Sequence, residues 1–300
     1  MVLVNYMRKV DLTAADQYLK RITELPPAPG VAAELLGLFK DADIDIDRVV
    51  HLIRQDPALT ANVIKLCNSA SFRGEESSSD LFEAVTRLGF YEVYRVVAAL
   101  LGARAMSMWK TDGGLDIDEI WRHSVASAVA AGKLAGRSGE SEAVAYTTGL
   151  LHDIGKLVLA SVEGARYASL VRQVQISGTS LSEAEREAFG VDHALVGEQL
   201  LCRWGLPPDL AKAVGLHNSP PRTGEPLEQL TAIVQIASDV AHQTDLEDSP
   251  AQAILTCHPE ALKVLGITEE DVSAIIAETR DDLQQAAGLS MVSSGTVETV

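Results

Sequence analysis

Helix start signals recur along this chain, and no stretch alternates with the period of two that a half-buried strand requires. Asp56 followed by Pro57 sets an N-cap side chain before a proline at the first helical position, and residues 58–67 continue as a helix. Ser182 and Glu185 have the spacing of a capping box ahead of 184–189, with Gly190 placed to end that helix. Asp116 and Glu119 repeat the spacing before 120–134, and Thr268 with Asp271 opens a helix running toward Gln285. Gly205, Pro207 and Pro208 punctuate a further boundary. The expected fold class is therefore all-α.

Aromatic residues make up 5% of the chain and hydrophobic residues 47%, so the core of such a fold is expected to be aliphatic. Lys and Arg number 25 against 42 Asp and Glu, a formal net charge of −17. A uniformly acidic protein repels phosphate backbones, so nucleic acid is not an expected partner. Cys67, Cys202 and Cys257 are odd in number, far apart and without a CxxC pair, which suits a reducing compartment with no disulfide framework. No apolar run approaches the roughly 20 residues that span a bilayer. The first residues lack the pattern of a signal peptide, so a cytoplasmic location is expected with no membrane partner.

Three hundred residues allow one large domain or two lobes. The polar, glycine-rich stretch Lys110-Thr111-Asp112-Gly113-Gly114 reads as the break. This predicts an extension over 1–16, a helical lobe over 17–110, a second over 115–288 and a flexible tail over 289–300. Prolines in Leu25-Pro26-Pro27-Ala28-Pro29-Gly30 favour an extended approach to the first lobe.

Chemistry-bearing residues concentrate in the second lobe. His152-Asp153, flanked by Gly149 and Gly155, reads as a buried ligand pair. Neighbours on a helix point about 100° apart, so the two can serve one centre only from the wedge between them or across a distortion. His123 falls on a face of small and apolar residues, as a hydrogen-bonded core residue or as a ligand. His193 starts a helix after Asp192, and His217 ends one before Asn218. Asp239 lies mid-helix in an apolar run, where its carboxylate needs a partner, a structural ion pair or a metal. Together these imidazoles and carboxylates form the donor set that suits Fe, Mn, Zn, Co or Ni rather than Mg or Ca, in a bundle core that commonly houses such sites.

The order His123, His152-Asp153, Lys156, His193, His217, Asp239 resembles the HD superfamily of metal-dependent phosphohydrolases and its two-metal HD-GYP branch. Further motifs narrow the resemblance to the HDOD family. Leu25-Pro26-Pro27-Ala28-Pro29 resembles the opening of that domain. Asp56-Pro57-Ala58-Leu59 with Asn68-Ser69-Ala70 resembles its "DP.L…NSA" stretch, and Ala84-Val85-Thr86-Arg87-Leu88-Gly89 its "AI..LG" stretch. Gly149-Leu150-Leu151-His152-Asp153-Ile154-Gly155 is similar to "GLLHDIG". Glu187-Ala188-Phe189-Gly190 with His193, Gly197, Leu200, Trp204, Leu206 and Pro207 follows "E..fG..H...G..LL..W.LP". The resemblance covers residues 17–285 and makes the second lobe an HD-like helical bundle.

By position, the resemblance implies metal ligands at His123, His152, Asp153 and Asp239, and a second ion at His193 and His217 bridged by Asp153. It implies one or two transition-metal ions, Fe or Mn ahead of Zn, Ni or Co, with Asp153 and Lys156 as catalytic residues if the site is catalytic. Lys156 would face a substrate phosphate. The implied function is a bacterial signalling or regulatory protein acting through a protein partner or a small phosphorylated ligand; the alternative is a phosphohydrolase acting on a nucleotide or cyclic nucleotide. Asn218 follows His217 where HD-GYP enzymes carry a second His, and Ser219-Pro220-Pro221 replaces their glutamate and "GYP". Cyclic-dinucleotide hydrolysis in the HD-GYP manner is therefore not expected.

Overall fold

A computed structural model describes residues 14–22, 34–35, 37–38, 45–69, 71–72, 77–107, 109, 115–219, 227–244 and 258–291. Among the described residues every regular element is an α-helix, as expected. The proposed break at 110–114 and the proline-rich stretch 25–30 lie outside the described residues, as do 1–13 and 292–300.

Residues 14–21 form α1. Among the described residues helical positions follow at 34–35 and 37–38, then α2 (Ile46–Arg54), α3 (Pro57–Cys67), α4 (Leu81–Leu88) and α5 (Phe90–Ser107). The rest of the chain forms α6 (Ile117–Ser138), α7 (Glu142–Leu151), α8 (Ile154–Glu163), α9 (Ala165–Ser177), α10 (Leu181–Phe189), α11 (His193–Arg203), α12 (Pro208–Leu216), α13 (Glu228–Thr244), α14 (Pro259–Leu265) and α15 (Glu269–Met291).

Most of the caps act as the sequence predicts. Asp56 accepts from the backbone N–H of Ala58 and Leu59, and Asp116 from that of Glu119. Thr268 and Asp271 exchange side-chain and backbone bonds ahead of α15. The Ser182–Glu185 capping box does not form. Helix α10 starts one residue before Ser182, with Ser180 accepting from Glu183 N–H. Glu185, fully buried, is drawn instead to the buried donors of Tyr167 and His193. Those bonds satisfy a carboxylate that has no access to water, whereas a cap at the helix start would be solvated.

Helices α2, α3 and α4 pack on one another, and α5 joins them to α6 and α7. Tyr94 of α5 bonds through its hydroxyl to Thr147 of α7, a buried polar link between the two groups. Helix α6 lies against α7 and α13, and α11 against α8 and α12. One aliphatic core runs from Ala15 through Val97 and Leu157 to Val214. A second, including Leu134, Ile233, Ile236, Val240 and Ile275, fills the space between α6, α13, α14 and α15. Both are aliphatic, as the composition requires.

Two glycines set how closely the helices behind the histidines approach. A Cβ built on Gly149 of α7 would lie 2.7 Å from Ser127 O and 3.0 Å from Ala128 Cα, both in α6. A Cβ on Gly155 of α8 would overlap the His193 carbonyl oxygen and sit 2.8 Å from Gly197 N. Gly155 is therefore needed for backbone contact between α8 and α11, which the sequence pattern read as freedom to distort a helix. We predict that Gly155→Ala forces these helices apart and destabilises the protein by about 2 kcal/mol or more. Urea unfolding checks this, and a loss below about 0.5 kcal/mol would contradict the crossing.

Candidate metal centre

His152 and Asp153 occupy the turn between α7 and α8 rather than the interior of a helix. His152 keeps helical dihedrals (φ −58°, ψ −33°), while Asp153 departs from them (φ −97°, ψ 4°). The turn removes the constraint of neighbours pointing 100° apart. Asp153 stands at the N-cap position of α8 but makes no side-chain capping bond. Its carboxylate, 2% exposed, faces four imidazoles instead. Oδ2 lies 3.4 Å from His152 Nε2 and 3.7 Å from His123 Nε2; Oδ1 lies 3.4 Å from His193 Nε2 and 3.9 Å from His217 Nε2. The Lys156 ammonium, one turn along α8, donates to Oδ2 at 2.6 Å.

Three of these rings are fixed from behind. His152 Nδ1 is 2.7 Å from Gly149 O, and His217 Nδ1 is 2.7 Å from Val214 O. A carbonyl oxygen only accepts, so both Nδ1 atoms carry the proton and both Nε2 atoms keep a lone pair. His193 Nδ1 is 2.6 Å from Glu185 Oε2, and Asn218 Nδ2 is 3.0 Å from His193 Nε2, which assigns the same tautomer. His152 Nε2 is buried without a hydrogen-bond partner. Two groups of buried donor atoms lie close enough to hold an ion: His123, His152 and Asp153, and Asp153, His193 and His217. Imidazole lone pairs oriented by outer bonds, converging on one carboxylate, fit a transition metal.

The electrostatics follow from burial. Desolvation holds the imidazoles of His123, His152 and His217 below the usual histidine range. Burial also opposes the charge of Asp153, but His152, Lys156, His193 and His123 outweigh it and keep the carboxyl well below the usual carboxylate range. Burial pulls His193 down too, yet the Glu185 carboxylate wins and the net shift is upward.

Five of the six residues expected to ligate are therefore together, with Lys156 beside them. Asp239 belongs to neither of these donor groups. Helix α13 turns Ser238 toward the centre, with Oγ 3.3 Å from His123 Nε2, and His242, one turn further, stacks on His123 at 4.3 Å between ring centroids. Residue 239 lies about 100° around the helix from Ser238, and the charged group acting on its carboxylate is His258. Glu185, Tyr167, Ser238 and Asn218 were not singled out by sequence as site residues. Glu185 carried a signal, eight positions before His193, but one that reads as a helix cap. His242 also lines the site.

The centre opens into a cavity of about 320 Å³ whose wall includes Asp153, Lys156, His193, Asn218 and His242 together with Val171 and Leu181. Arg203 pairs with Asp16.

The HDOD domain model matches residues 25–220. The chain belongs to the HDOD family. The match ends before α13, short of the 17–285 expected from the motifs. An HDOD domain protein of unknown function from Geobacter sulfurreducens superposes with a TM-score of 0.75 at 26% identity, over 94% of this chain and 97% of that one. A Shewanella amazonensis SB2B protein whose inferred activity is that of a phosphohydrolase superposes with a TM-score of 0.68 at 27% identity, over 91% and 96%. An uncharacterized protein of Treponema pallidum (strain Nichols) is 28% identical over 229 residues, 73% of this chain and 42% of the relative. The chain thus spans less than half the length of that relative. Among the described residues no helix is long and apolar enough to cross a membrane.

Asp239 gives the centre a control. Burial pushes its carboxyl from 3.8 up to about 6, and Oδ2 is buried without a hydrogen-bond partner. A carboxylate with a raised folded-state pKa favours the protonated form, so its penalty is absent at acid pH and grows as the pH rises through 4 to 6. Discounted for partial exposure, Asp239→Asn is expected to stabilise the protein by about 1–2 kcal/mol at pH 7.5, with the gain shrinking toward pH 5. Metal content of the variant should match wild type. Loss of metal in Asp239→Asn would restore Asp239 to the ligand set.

Proposed function

We propose that this HDOD chain is a bacterial signalling module that binds one or two transition-metal ions at the His–Asp centre and takes a small phosphorylated ligand in the adjoining cavity. What carries the reading is the donor geometry: three imidazoles donate from Nδ1–H to fixed acceptors and aim Nε2 at one buried carboxylate. His123, His152 and Asp153 would hold one ion, and Asp153, His193 and His217 the other. The donor set suits Fe or Mn, with Zn, Ni or Co as substitutes. A bound ion supplies Lewis acidity toward a phosphoryl oxygen. Lys156 holds its ammonium at the cavity wall beside Asp153, placed to receive a phosphate oxygen. Val171 and Leu181, which also line the cavity, give it apolar surface for the body of a ligand. The output would pass to a protein partner as the cavity fills.

A specific observation favours a second reading, metal-dependent phosphohydrolysis. The two donor groups share a carboxylate, as a two-metal hydrolase requires, and the Shewanella protein's inferred activity is of this class. Against it, α13 presents a serine hydroxyl to His123 where a carboxylate ligand was expected.

Purified wild-type protein should carry about one to two equivalents of transition metal by ICP-MS, and Asp153→Ala almost none. Wild type that stays metal-free after anaerobic reconstitution with iron or manganese sinks the proposal. Incubation with bis(4-nitrophenyl) phosphate separates the readings. Wild-type turnover equal to the Asp153→Ala background supports a binding module. Metal-dependent turnover lost in the variant makes the protein a hydrolase.

A further inference from the structure

We infer that the two halves of the centre are unequal, the Asp153–His193–His217 half binding its ion at least about tenfold more tightly than the His123–His152–Asp153 half, with Glu185 as the positioning residue responsible. This rests on the proposed metal centre.

Glu185 contacts His193 twice through Oε2, accepting from the backbone N–H at 2.8 Å and from Nδ1–H at 2.6 Å. Its other oxygen accepts from the Tyr167 hydroxyl at 2.6 Å. Tyr167 and Glu185 are fully buried and His193 nearly so, so water does not compete for these bonds. A carboxylate behind an imidazole fixes its tautomer and raises the basicity of the lone pair at Nε2. His193 is the first residue of α11 and His217 follows the last of α12, and these two helices pack together, so both rings project from firmly held ends.

The other half lacks this support. His152 is anchored on Gly149 O, but His123 Nδ1 is buried with no hydrogen-bond partner among the described residues. Its Nε2 meets the Ser238 hydroxyl, and its ring lies against His242. Among the described residues no carboxylate bonds His123 Nδ1, and Asp239 of α13 does not join the donor group that includes His123. That half depends on one anchored ring, one loosely determined ring, and a carboxylate it shares.

Titrating Mn²⁺ into metal-free protein, by calorimetry with free Mn²⁺ followed by EPR, tests the inference without an activity assay. Two ions sharing Asp153 repel, so two steps in wild type do not decide the matter; the single variants do. His123→Ala should keep a tight step at the wild-type affinity. His193→Ala should leave Mn²⁺ binding only about tenfold or more weakly than that step. Glu185→Gln keeps an acceptor oxygen for Nδ1 and an amide donor for Tyr167, so it tests orientation and charge with little change of shape. It should weaken the tight step about tenfold and leave the weak step in place. Thermal unfolding of each apo-variant shows whether it is folded under the titration conditions. Equal affinities in His123→Ala and His193→Ala, or a tight step that survives Glu185→Gln unchanged, overturn the inference while leaving the metal centre standing. A wild-type protein that binds no Mn²⁺ at all overturns both.

Discussion

The Asp153 carboxylate is ionised where water does not reach, and much of the second half of the chain is arranged around that fact. An unpaired buried charge costs several kcal/mol, so the surroundings must answer it. Lys156 does so directly through an ion pair, and four imidazoles from the surrounding helices are gathered about the same carboxylate. Bringing α6, α8, α11 and the end of α12 within reach of one carboxylate demands backbones closer than ordinary side chains permit. Gly149 and Gly155 meet that demand, the first against α6 and the second against α11. The turn at His152–Asp153 completes the arrangement by letting adjacent residues point into the same space.

The fold was legible wherever a local signal was sufficient in itself. Asp56, Asp116 and Thr268–Asp271 start helices because their side chains satisfy orphan N–H groups within the same few residues. Five ligand candidates were legible because histidines in apolar helices need a reason to be there. The failures occur where the deciding partner is distant in sequence. Glu185 has the spacing of a cap, yet Tyr167 and His193 claim it. That α13 turns Ser238 toward His123 was also not legible, because the rotation of a helix about its axis is set by what it packs against and nothing local in the sequence reports it. The tie between Tyr94 and Thr147 was likewise invisible, since each is an ordinary helix residue until α5 and α7 are packed.

The chain carries an HDOD domain, and the geometry explains how such a domain could retain a chemical centre while varying what it does with it. Apart from His123, which lies within α6, the donors sit at helix ends and in a turn, backed by two largely aliphatic cores that do not involve the ligand atoms. A ligand position can change its side chain without unpacking the helix that carries it. Ser238 beside His123 illustrates this: the helix is continuous and buried, and the chemistry presented by its inner face differs from what the order of residues suggested.

The anchors of His152 and His217 have a consequence for how such a centre is inherited. Each ring donates a hydrogen bond from Nδ1–H to the carbonyl three residues earlier in the helix it terminates. That acceptor belongs to the main chain, so no substitution at Gly149 or Val214 removes it while the helix persists. The tautomer is thus written into backbone geometry and is insulated from mutation. The Glu185–His193 anchor is made of side chains and has no such protection, so a single codon change can retune that ring and leave the other two as they are.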